Sequence, residues 1–419
     1  GGWVNFTDYI DAVQRKAVSQ LGWQNFNDVV RYKTQATLAK SVTKSQFKAL
    51  LRANEVEAVY KDEFRPVMLQ SSLGQIGMKN ISRQSPKGNG VAVAVLDTGI
   101  DSTHAFFENK VVGEACFSQM GSCPNDLRYM EGKGAGMPCK GDCSHGTHVG
   151  GIVAGYSHEM SGVAKSADLL AVQVFSVDGN AIGSLDSDVL SGLEWVYLNS
   201  KKYNVKAVNM SLGGGAFAKD CDFLAPYKTM FDLLAQADIA VIVASGNEYL
   251  TQQIAAPSCI SKAISVGSLD KYNQISPFSN SNDQLDILAP GGDILSAVPG
   301  GRFEAMSGTS MAAPHVAGAW AVLASMYPSA SLLEIEASMK RGADHYRDPR
   351  NKLMFPVLRL DKAADWLAKT YPQTPERSER PNRGRQPVEG ERAKGRERPN
   401  RIDGIRMEGQ SDEPEKMRW

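Results

Sequence analysis

The chain has 419 residues, enough for a large hydrophobic core and for more than one folding unit. Apolar residues make up 42% of it and charged residues 22%, as in ordinary soluble globular proteins, and the formal net charge is +0. The balanced charge gives no reason to expect a nucleic acid as partner, and no apolar run approaches the roughly 20 residues that cross a bilayer, so we expect no membrane partner either.

The first predicted elements lie in residues 1–70, a region rich in charged residues and helix formers. The segment "VVRYKTQ" (29–35) has the composition of a strand, and "TKSQFKALLRAN" (43–54) predicts a helix with Thr43 as its N-cap. A second strand is predicted at "VEAVYKDE" (56–63). Together these elements indicate a small α+β unit.

After an exposed connector at residues 65–77, apolar runs of strand length alternate with helical patterns up to residue 371. The helical patterns cover residues 184–202 and 224–237. The apolar runs lie at residues 91–97, 167–175, 205–212, 239–246 and 262–268. Such continuous apolar runs are typical of parallel strands that helices cover on both faces of a sheet. The sequence therefore predicts an α/β fold with three layers around a parallel sheet.

The last segment, residues 372–419, is low in apolar residues, mixed in charge and punctuated by Pro and Gly. Such a segment cannot bury enough surface to offset the loss of chain entropy, so we expect it to be disordered. Its many arginines alternate with glutamates and its aromatic residues are few, which favours a solvated tail over an RNA contact.

The cysteines indicate the compartment in which the protein works. There are six of them, an even number: Cys116, Cys123, Cys139, Cys143, Cys221 and Cys259. This favours disulfides and an oxidising compartment, although the sequence leaves all fifteen pairings open. The alternative is a metal site at Cys139, Cys143 and His145, but C-x3-C is not the usual zinc spacing and no second pair completes four ligands.

Ligands of parallel sheets bind at the carboxyl ends of strands, which draws attention to Asp97, Ser211 and Asn247 at or just after predicted strand ends. Taken alone, each candidate has an ordinary explanation, because Asp and Asn form turns and a serine caps helices. Ser310 in "GTSMAAPH" fits an N-cap, with Pro314 tolerated in the first turn because its missing N–H has no partner there.

Taken together, the candidates match the needs of acyl transfer. A serine hydroxyl is a poor nucleophile unless a base accepts its proton. A buried carboxylate must hold that base in the correct tautomer, and donors must face the developing oxyanion. Asp97, His145 and Ser310 supply acid, base and nucleophile in a chain order that one known group of serine peptidases uses.

Five blocks carry a resemblance to a known family. They are, in chain order, "VLDTGID", "HGTHVGG", "NMSLGGG", "ASGNE" and "GTSMAAPHVAG". These blocks resemble those of the subtilisin-like serine peptidases, over roughly residues 71–371, and residues 1–70 are similar to the inhibitor prosegment of that family. The resemblance implies a subtilisin-like catalytic domain with a three-layer parallel sheet, preceded by a small ferredoxin-like α+β prodomain.

The resemblance also implies an activity and a life cycle. We expect a monomeric serine endopeptidase, made as a zymogen that processes itself near Leu69–Ser72, with peptides and proteins as substrates and its own prodomain as intramolecular inhibitor. We expect it to be secreted or periplasmic, although the sequence begins Gly1-Gly2-Trp3 without a signal peptide.

The family's site roles transfer to this sequence by motif. Asp97 would orient the base, His145 would be the base, and Ser310 would be the nucleophile. Asn247 would donate its side-chain amide to the oxyanion together with the Ser310 backbone N–H, and His148 would be structural.

Substrate would pair with Ser211, Leu212 and Gly213 as an added strand. The expected walls of the main specificity pocket are Leu212, Gly213, Gly214, Ala244, Ser245, Gly246 and Ala255. These residues are small or apolar, so we expect a large apolar or aromatic side chain before the scissile bond. Glu248 would lie at the rim, where it would either admit a basic side chain or be merely solvated.

The resemblance requires no cofactor for the chemistry, but it raises the question of structural calcium. The family's strong calcium site is doubtful, because Ala105 and Phe106 stand where an acid is usual. Asp286 matches a weaker cation position, with carbonyls near Ser258 as co-ligands, although a lone Asp is more often a hydrogen-bonded loop acid. If the chain has the fold that the resemblance implies, we expect the disulfides Cys116–Cys123, Cys139–Cys143 and Cys221–Cys259.

Two alternatives stay open at the level of sequence. One is a catalytically inactive relative that serves as a binding or scaffold protein. The other is a cysteine- or metal-dependent enzyme built on "CKGDCSHGTH".

Overall fold

A computed structural model of the chain describes residues 6–21, 29–31, 36–40, 42–53, 56, 58–59, 65–66, 73–81, 85–141, 143–179 and 181–371. The chain divides into two compact units, Gly1–Gln373 and Thr374–Trp419, and every described residue belongs to the first. The predictions for residues 32–35, for most of 56–63 and for 372–419 lie outside the described residues.

The N-terminal part begins with helix α1 (Phe6–Gln20) and continues through strands β1 (Val30–Arg31) and β2 (Leu38–Ala39) to helix α2 (Lys44–Leu50). The two strands pair antiparallel.

The predicted N-cap of α2 is confirmed. Thr43 accepts the Gln46 backbone N–H, and the Gln46 side chain accepts the Thr43 N–H, which is a complete capping box. The helix ends at Leu50, four residues before the predicted end at Asn54.

The largest sheet has ten strands. Eight run parallel: β4 (Ala92–Asp97), β5 (Val111–Phe117), β7 (Asp168–Gln173), β10 (Val205–Met210), β12 (Ala240–Ala244), β14 (Ala263–Leu269), β15 (Ile287–Pro290) and β19 (Met354–Val357). Antiparallel strands close the two edges: β6 (Tyr129–Glu131) and β18 (Asp344–Arg347). The spatial order is β18-β19-β15-β14-β12-β10-β4-β7-β5-β6.

Helices cover both faces of this sheet. They are α3 (His145–Ala154), α4 (Asp186–Tyr203), α5 (Ala225–Gln236), α6 (Thr309–Met326), α7 (Leu332–Arg341) and α8 (Leu360–Thr370). One hydrophobic core contains residues of α3, α6, α7 and α8, and the other contains residues of α4 and α5. The predicted three-layer α/β fold is confirmed, and the chain places its two largest cores between the sheet and its helices.

The sequences of α4 and α6 explain the charges at the ends of the first helix and the burial of the second. In α4, Asp186 and Asp188 lie in the first turn and Lys201 and Lys202 in the last, where each charge opposes the helix dipole. In α6, every residue from 309 to 324 is buried, and apart from His315 all of them are apolar or small, as a central helix requires.

Small sheets and hairpins complete the fold. Their strands are β3 (Arg65–Pro66), β8 (Ser176–Asp178), β9 (Ala181–Ser184), β11 (Gly214–Phe217), β13 (Ile254–Ala256), β16 (Ile294–Val298) and β17 (Arg302–Met306). The β3 backbone pairs antiparallel with β9, which also pairs with β8. None of the helices in the described ranges is both long and apolar enough to cross a bilayer.

The five predicted strands and both helices predicted between them are present, with ends that shift by a few residues. Strands β5, β15 and β19 were not predicted. In β5 the polar residue Glu114 interrupts the apolar run, yet its carboxylate is buried and accepts the N–H groups of Gly134 and Gly136 at 3.0 and 3.2 Å. A tertiary contact thus satisfies a residue that the strand pattern disfavours.

The three expected disulfides are present: Cys116–Cys123, Cys139–Cys143 and Cys221–Cys259. All six cysteines are therefore oxidised. The alternative of a cysteine- or metal-dependent site at Cys139 and Cys143 is wrong, because neither sulfur is available as a thiolate.

Removal of a disulfide should cost stability according to the length of the loop that it closes. The Cys221–Cys259 bond spans 38 residues and the Cys139–Cys143 bond spans 4. The chain-entropy relation gives about 4 kcal/mol for the first and about 2 kcal/mol for the second. Urea unfolding of the two Cys→Ser double variants should show this order, and a greater loss from the short loop would contradict it.

Candidate active site

The central strand β4 ends in a buried carboxylate. Asp97 is fully buried, and its Oδ1 accepts the Thr98 N–H at 2.7 Å and lies 2.6 Å from Nδ1 of His145. His145 is the first residue of α3 and is itself buried. A proton on Nδ1, shared with the carboxylate, makes Nε2 the acceptor nitrogen of the neutral ring.

The Cys139–Cys143 loop holds the segment next to this pair. The Cys139 N–H donates to the Thr98 carbonyl at 2.9 Å, and the Thr98 hydroxyl donates to the Cys143 carbonyl at 3.3 Å. The same hydroxyl accepts the Gly146 N–H at 2.8 Å. Thr98 therefore joins the carboxylate segment, the disulfide loop and the first turn of α3.

Ser310 lies in the first turn of α6, at the positive end of the helix dipole. The interpretation of Ser310 as an N-cap is wrong, because the N-cap is Gly308 and makes no side-chain cap. The Ser310 side chain is buried, and its hydroxyl donates to the Ser211 carbonyl at 3.2 Å.

Pro314 has a different role from the one predicted. It lies beyond the first turn, where its N–H would have donated to the carbonyl four residues earlier, that of Ser310. The Ser211 hydroxyl donates to this carbonyl instead, at 2.6 Å, and accepts the Asn209 side-chain amide at 2.9 Å. A proline in the helix thus frees the Ser310 carbonyl for a partner on the sheet.

Sheet register brings the two halves of the site together. In the pairing of β10 with β4, Met210 lies opposite Leu96. Ser211 and Asp97 therefore follow side by side at the carboxyl edge of the sheet. Since His145 contacts Asp97 and Ser310 contacts Ser211, these four residues lie at the same edge of the sheet.

Asn247 belongs to the same edge. Its Oδ1 accepts both the backbone N–H of Thr309, at 2.8 Å, and the Thr309 hydroxyl, at 3.0 Å. Two donors on the carbonyl oxygen orient the amide, so that the Nδ2 hydrogens point away from Thr309. Sequence reasoning did not single out Thr309, although it directly precedes Ser310 in "GTSMAAPH".

The turn that carries Asn247 is held by Glu248 and by a residue that the sequence did not indicate, Asn280. The Glu248 Oε2 accepts the Asn247 N–H at 2.9 Å and the Asn280 side-chain amide at 2.6 Å. Glu248 is thus not merely solvated, since one oxygen of its carboxylate is engaged in the turn. Nothing in the sequence links residues 248 and 280.

Three segments predicted to bind substrate contact one another. Gly214 pairs with Ala256, and the Ala255 N–H donates to the Ser245 carbonyl at 2.8 Å. A Cβ on Gly213 would lie 2.9 Å from the Ala256 carbonyl oxygen. The structure therefore groups the predicted pocket residues: Ser211, Leu212, Gly213, Gly214, Ala244, Ser245, Gly246 and Ala255.

His148 and His315 lie in the core beside the site. Nε2 of His148 lies 3.1 Å from each of the carbonyl oxygens of Ile294 and Glu304, and burial lowers its pKa to about 3. Burial lowers the pKa of His315 to about 4. Both rings are therefore neutral at ordinary pH, which fits a structural role for His148.

Asp286 does not fit a cation site. Its Oδ1 lies 2.6 Å from the Lys340 ammonium, and its Oδ2 accepts the Ser265 N–H and hydroxyl at 2.8 and 2.9 Å. The lysine supplies the positive charge that a calcium ion would bring. Within the described residues, no group of three or more His, Cys, Asp or Glu side chains could hold a metal ion.

At the doubtful strong calcium position, Phe106 is buried. Its ring packs edge-on against Phe107 and Phe303. The residues present there form an aromatic cluster, which offers no oxygen ligand from this side chain.

A parallel α/β sheet that carries a buried Asp–His pair and a buried helix-start serine at one edge is the arrangement that a serine peptidase needs. Residues 88–372 match the model of the subtilase family. The chain belongs to the subtilase family, and it is a subtilisin-like serine endopeptidase.

Several curated relatives show the extent of the similarity. The chain is 34% identical to Subtilisin E of Bacillus subtilis over 307 residues, 71% of this chain and 73% of the relative. It is 36% identical to Subtilisin of Bacillus pumilus over 262 residues, 61% and 85% of the two chains. It is 33% identical to the Cuticle-degrading serine protease of Arthrobotrys oligospora over 302 residues, 69% and 66% of the two chains.

The link between Ser211 and Pro314 can be tested with a double-mutant cycle. Ser211→Ala should leave the buried Ser310 carbonyl without a donor and lower the free energy of unfolding by about 1–3 kcal/mol. Pro314→Ala restores an N–H at the helical position that reaches this carbonyl, so the double variant should lose less than the sum of the single losses.

Urea unfolding measures all three variants. Ser338→Ala is the matched control, because its buried hydroxyl donates to a carbonyl in its own helix, that of Ile335. It should show no coupling to Pro314→Ala. Strict additivity of Ser211→Ala and Pro314→Ala would contradict the assigned role of Ser211.

Proposed function

We propose that Asp97, His145 and Ser310 form the catalytic triad of this serine peptidase, with hydrolysis through an acyl-enzyme. The observation that carries the proposal is the 2.6 Å contact between the buried Asp97 carboxylate and Nδ1 of His145, at the edge where Ser310 lies. Intact side chains with these contacts argue against an inactive scaffold protein.

The reaction begins when Ser310 Oγ leaves the Ser211 carbonyl and attacks the scissile carbonyl carbon. Nε2 of His145 takes the hydroxyl proton, and Asp97 stabilises the imidazolium that forms. The imidazolium then protonates the leaving amine, which departs and leaves an ester on Ser310. Water attacks this ester with His145 again as base, and the acid product leaves with the free hydroxyl restored.

The oxyanion would be held by Asn247 Nδ2 and by the Ser310 backbone N–H. The support is the anchoring of Asn247 Oδ1 on Thr309, which leaves the amide hydrogens as the donors on the other side. A neutral amide fixed in this way is in place before charge develops, so it costs no reorganisation in the transition state.

We also propose that the chain is a secreted zymogen whose N-terminal segment inhibits the site. The three disulfides favour an oxidising compartment. The β3 backbone pairs with β9 of the catalytic unit, as Arg65 with Ser184 and Pro66 with Gly183. An extended prosegment held this way imitates a bound peptide strand. The proposed cleavage near Leu69–Ser72 lies outside the described residues.

Ser310→Ala should abolish both labelling and maturation. Phenylmethylsulfonyl fluoride should label Ser310 of the native protein and stop peptide hydrolysis, and the alanine variant should take up no label. The variant should also accumulate as the full-length precursor. Mass spectrometry and gel analysis measure both results, with Ser338→Ala as control. A variant that matures by itself would contradict autoprocessing.

The pocket prediction concerns the side chain before the scissile bond. Small residues at Gly213, Gly214 and Ala255 favour a large apolar side chain, and an apolar pocket disfavours an ionised acid, which would lose its hydration there. Chromogenic peptides ending in Phe, Leu, Arg and Glu should give the highest kcat/KM for Phe or Leu and the lowest for Glu. Fastest turnover of the Glu peptide would refute the assigned pocket.

A further inference from the structure

The turn that carries Asn247 has an unusual backbone. Gly246 has φ +108°, where a Cβ would lie 2.2 Å from Nδ2 of Asn280. Tyr249 has φ +63°, which is rare for a bulky residue. Such conformations persist only where surrounding contacts impose them. The turn must therefore be held by neighbours from outside its own sequence.

Asn280 supplies several of these contacts from a buried position. Its Nδ2 donates to Glu248 Oε2 at 2.6 Å and to the Ser245 carbonyl at 3.3 Å. Its Oδ1 accepts the N–H groups of Glu248 and Leu250, each at 3.0 Å. Its backbone N–H donates to the Gly246 carbonyl at 2.9 Å. One side chain thus contacts both ends of the turn.

The segment of Asn280 is itself anchored from behind. Arg350 donates to the Ser279 carbonyl at 2.9 Å and pairs with the buried Asp348 at 2.8 Å. The Ser281 hydroxyl donates to Asp348 at 2.9 Å. Arg350 and Asp348 both contact this segment, and their opposite charges compensate each other.

The restraint reaches Asn247 through a single carboxylate oxygen. Glu248 Oε2 accepts the Asn247 backbone N–H at 2.9 Å while Asn280 donates to the same oxygen. The Asn247 side chain is fixed at its other end by Thr309. Both the backbone and the side chain of Asn247 are therefore held before substrate arrives.

We propose that Asn280 is a positioning residue for Asn247 and acts through the Glu248 carboxylate. The inference rests on the proposed function, because it assumes that Asn247 donates to the oxyanion. Glu248 serves mainly to hold the turn, and the charge of its carboxylate is directed to Asn280 and to a backbone N–H. Displacement of a catalytic donor by about 1 Å costs up to about a hundredfold in rate.

Asn280→Asp tests the proposal by a change in pH dependence. It places a carboxyl oxygen against Glu248 Oε2, and two carboxylates at such a distance cannot both ionise readily. The pair keeps one proton at low pH, which replaces the lost N–H donor. The folded-state pKa of the pair is thus raised, so the turn is intact at low pH and is disrupted as pH rises through that pKa.

The expected result is a kcat that falls on the order of tenfold or more at alkaline pH, with KM nearly unchanged. The native enzyme should show no such fall. Glu248→Gln combined with Asn280→Asp leaves a single carboxylate, so kcat should no longer fall as the pH rises. The Asn247 N–H loses its acceptor in this double variant, so kcat should stay below native at every pH. Asn282→Asp is the matched control, because it makes the same chemical change two residues away and lacks a carboxylate partner.

The outcomes separate this inference from the proposed function. A native enzyme that neither hydrolyses peptides nor takes a label on Ser310 overturns the proposed function. An active native enzyme with an Asn280→Asp variant of unchanged pH profile overturns the role of Asn280. A double variant whose kcat still falls as the pH rises also overturns it.

A second variant keeps the test valid if Asn280→Asp fails to fold. Glu248→Ala removes the shared acceptor and should lower kcat on the order of tenfold for peptides with Phe, Leu and Arg alike. The KM values should stay close to native. A retained kcat with an altered order of peptide preference would instead make Glu248 a specificity residue and overturn the proposal.

Discussion

The buried carboxylate of Asp97 constrains the residues around it. A buried charge at the end of a central strand is costly unless it is hydrogen-bonded, and here the Thr98 N–H and the His145 ring both lie at one of its two oxygens, Oδ1. This fixes where α3 begins. A Cβ at Gly146 would lie 2.4 Å from the Gly99 carbonyl oxygen and 3.1 Å from the Asp97 Cβ, so the second residue of α3 must be glycine. The Asp97–His145 pair thus determines how closely α3 approaches the end of β4.

The first turn of α6 forms the other half of the arrangement. Thr309 binds the Asn247 side chain, and Ser310 exchanges two hydrogen bonds with Ser211. The bond from the Ser211 hydroxyl to the Ser310 carbonyl exists because Pro314 removes the helical donor to that carbonyl. Nucleophile and oxyanion donor are therefore positioned by one helical turn, and a displacement of that turn would move both together.

Side chains of the protein itself occupy the two positions where the family resemblance suggested calcium. Lys340 neutralises Asp286, and an aromatic cluster buries Phe106. Three disulfides close loops of the chain, and the Cys139–Cys143 loop lies directly before His145. Because these partners are part of the chain, their contribution to stability does not depend on the concentration of a dissolved ion.

The sequence by itself determined the parallel α/β class, the main strands and helices, and the residues of the candidate site. These follow from short apolar runs, helix periodicity and local motifs, all of which are contained in a few neighbouring residues. The sequence did not indicate β5, because a buried Glu114 is satisfied only by the distant glycines 134 and 136.

Tertiary structure alone decided which polar groups meet. It paired Asn280 with Glu248 across 32 residues, Lys340 with Asp286 across 54 and Ser211 with Ser310 across 99. It also showed that Pro314 frees the Ser310 carbonyl for a bond with Ser211, and it excluded a capping role for Ser310. The physical reason is that a hydrogen bond depends on distance and direction in space, which the order of strands and the packing of helices set, and which no local pattern contains.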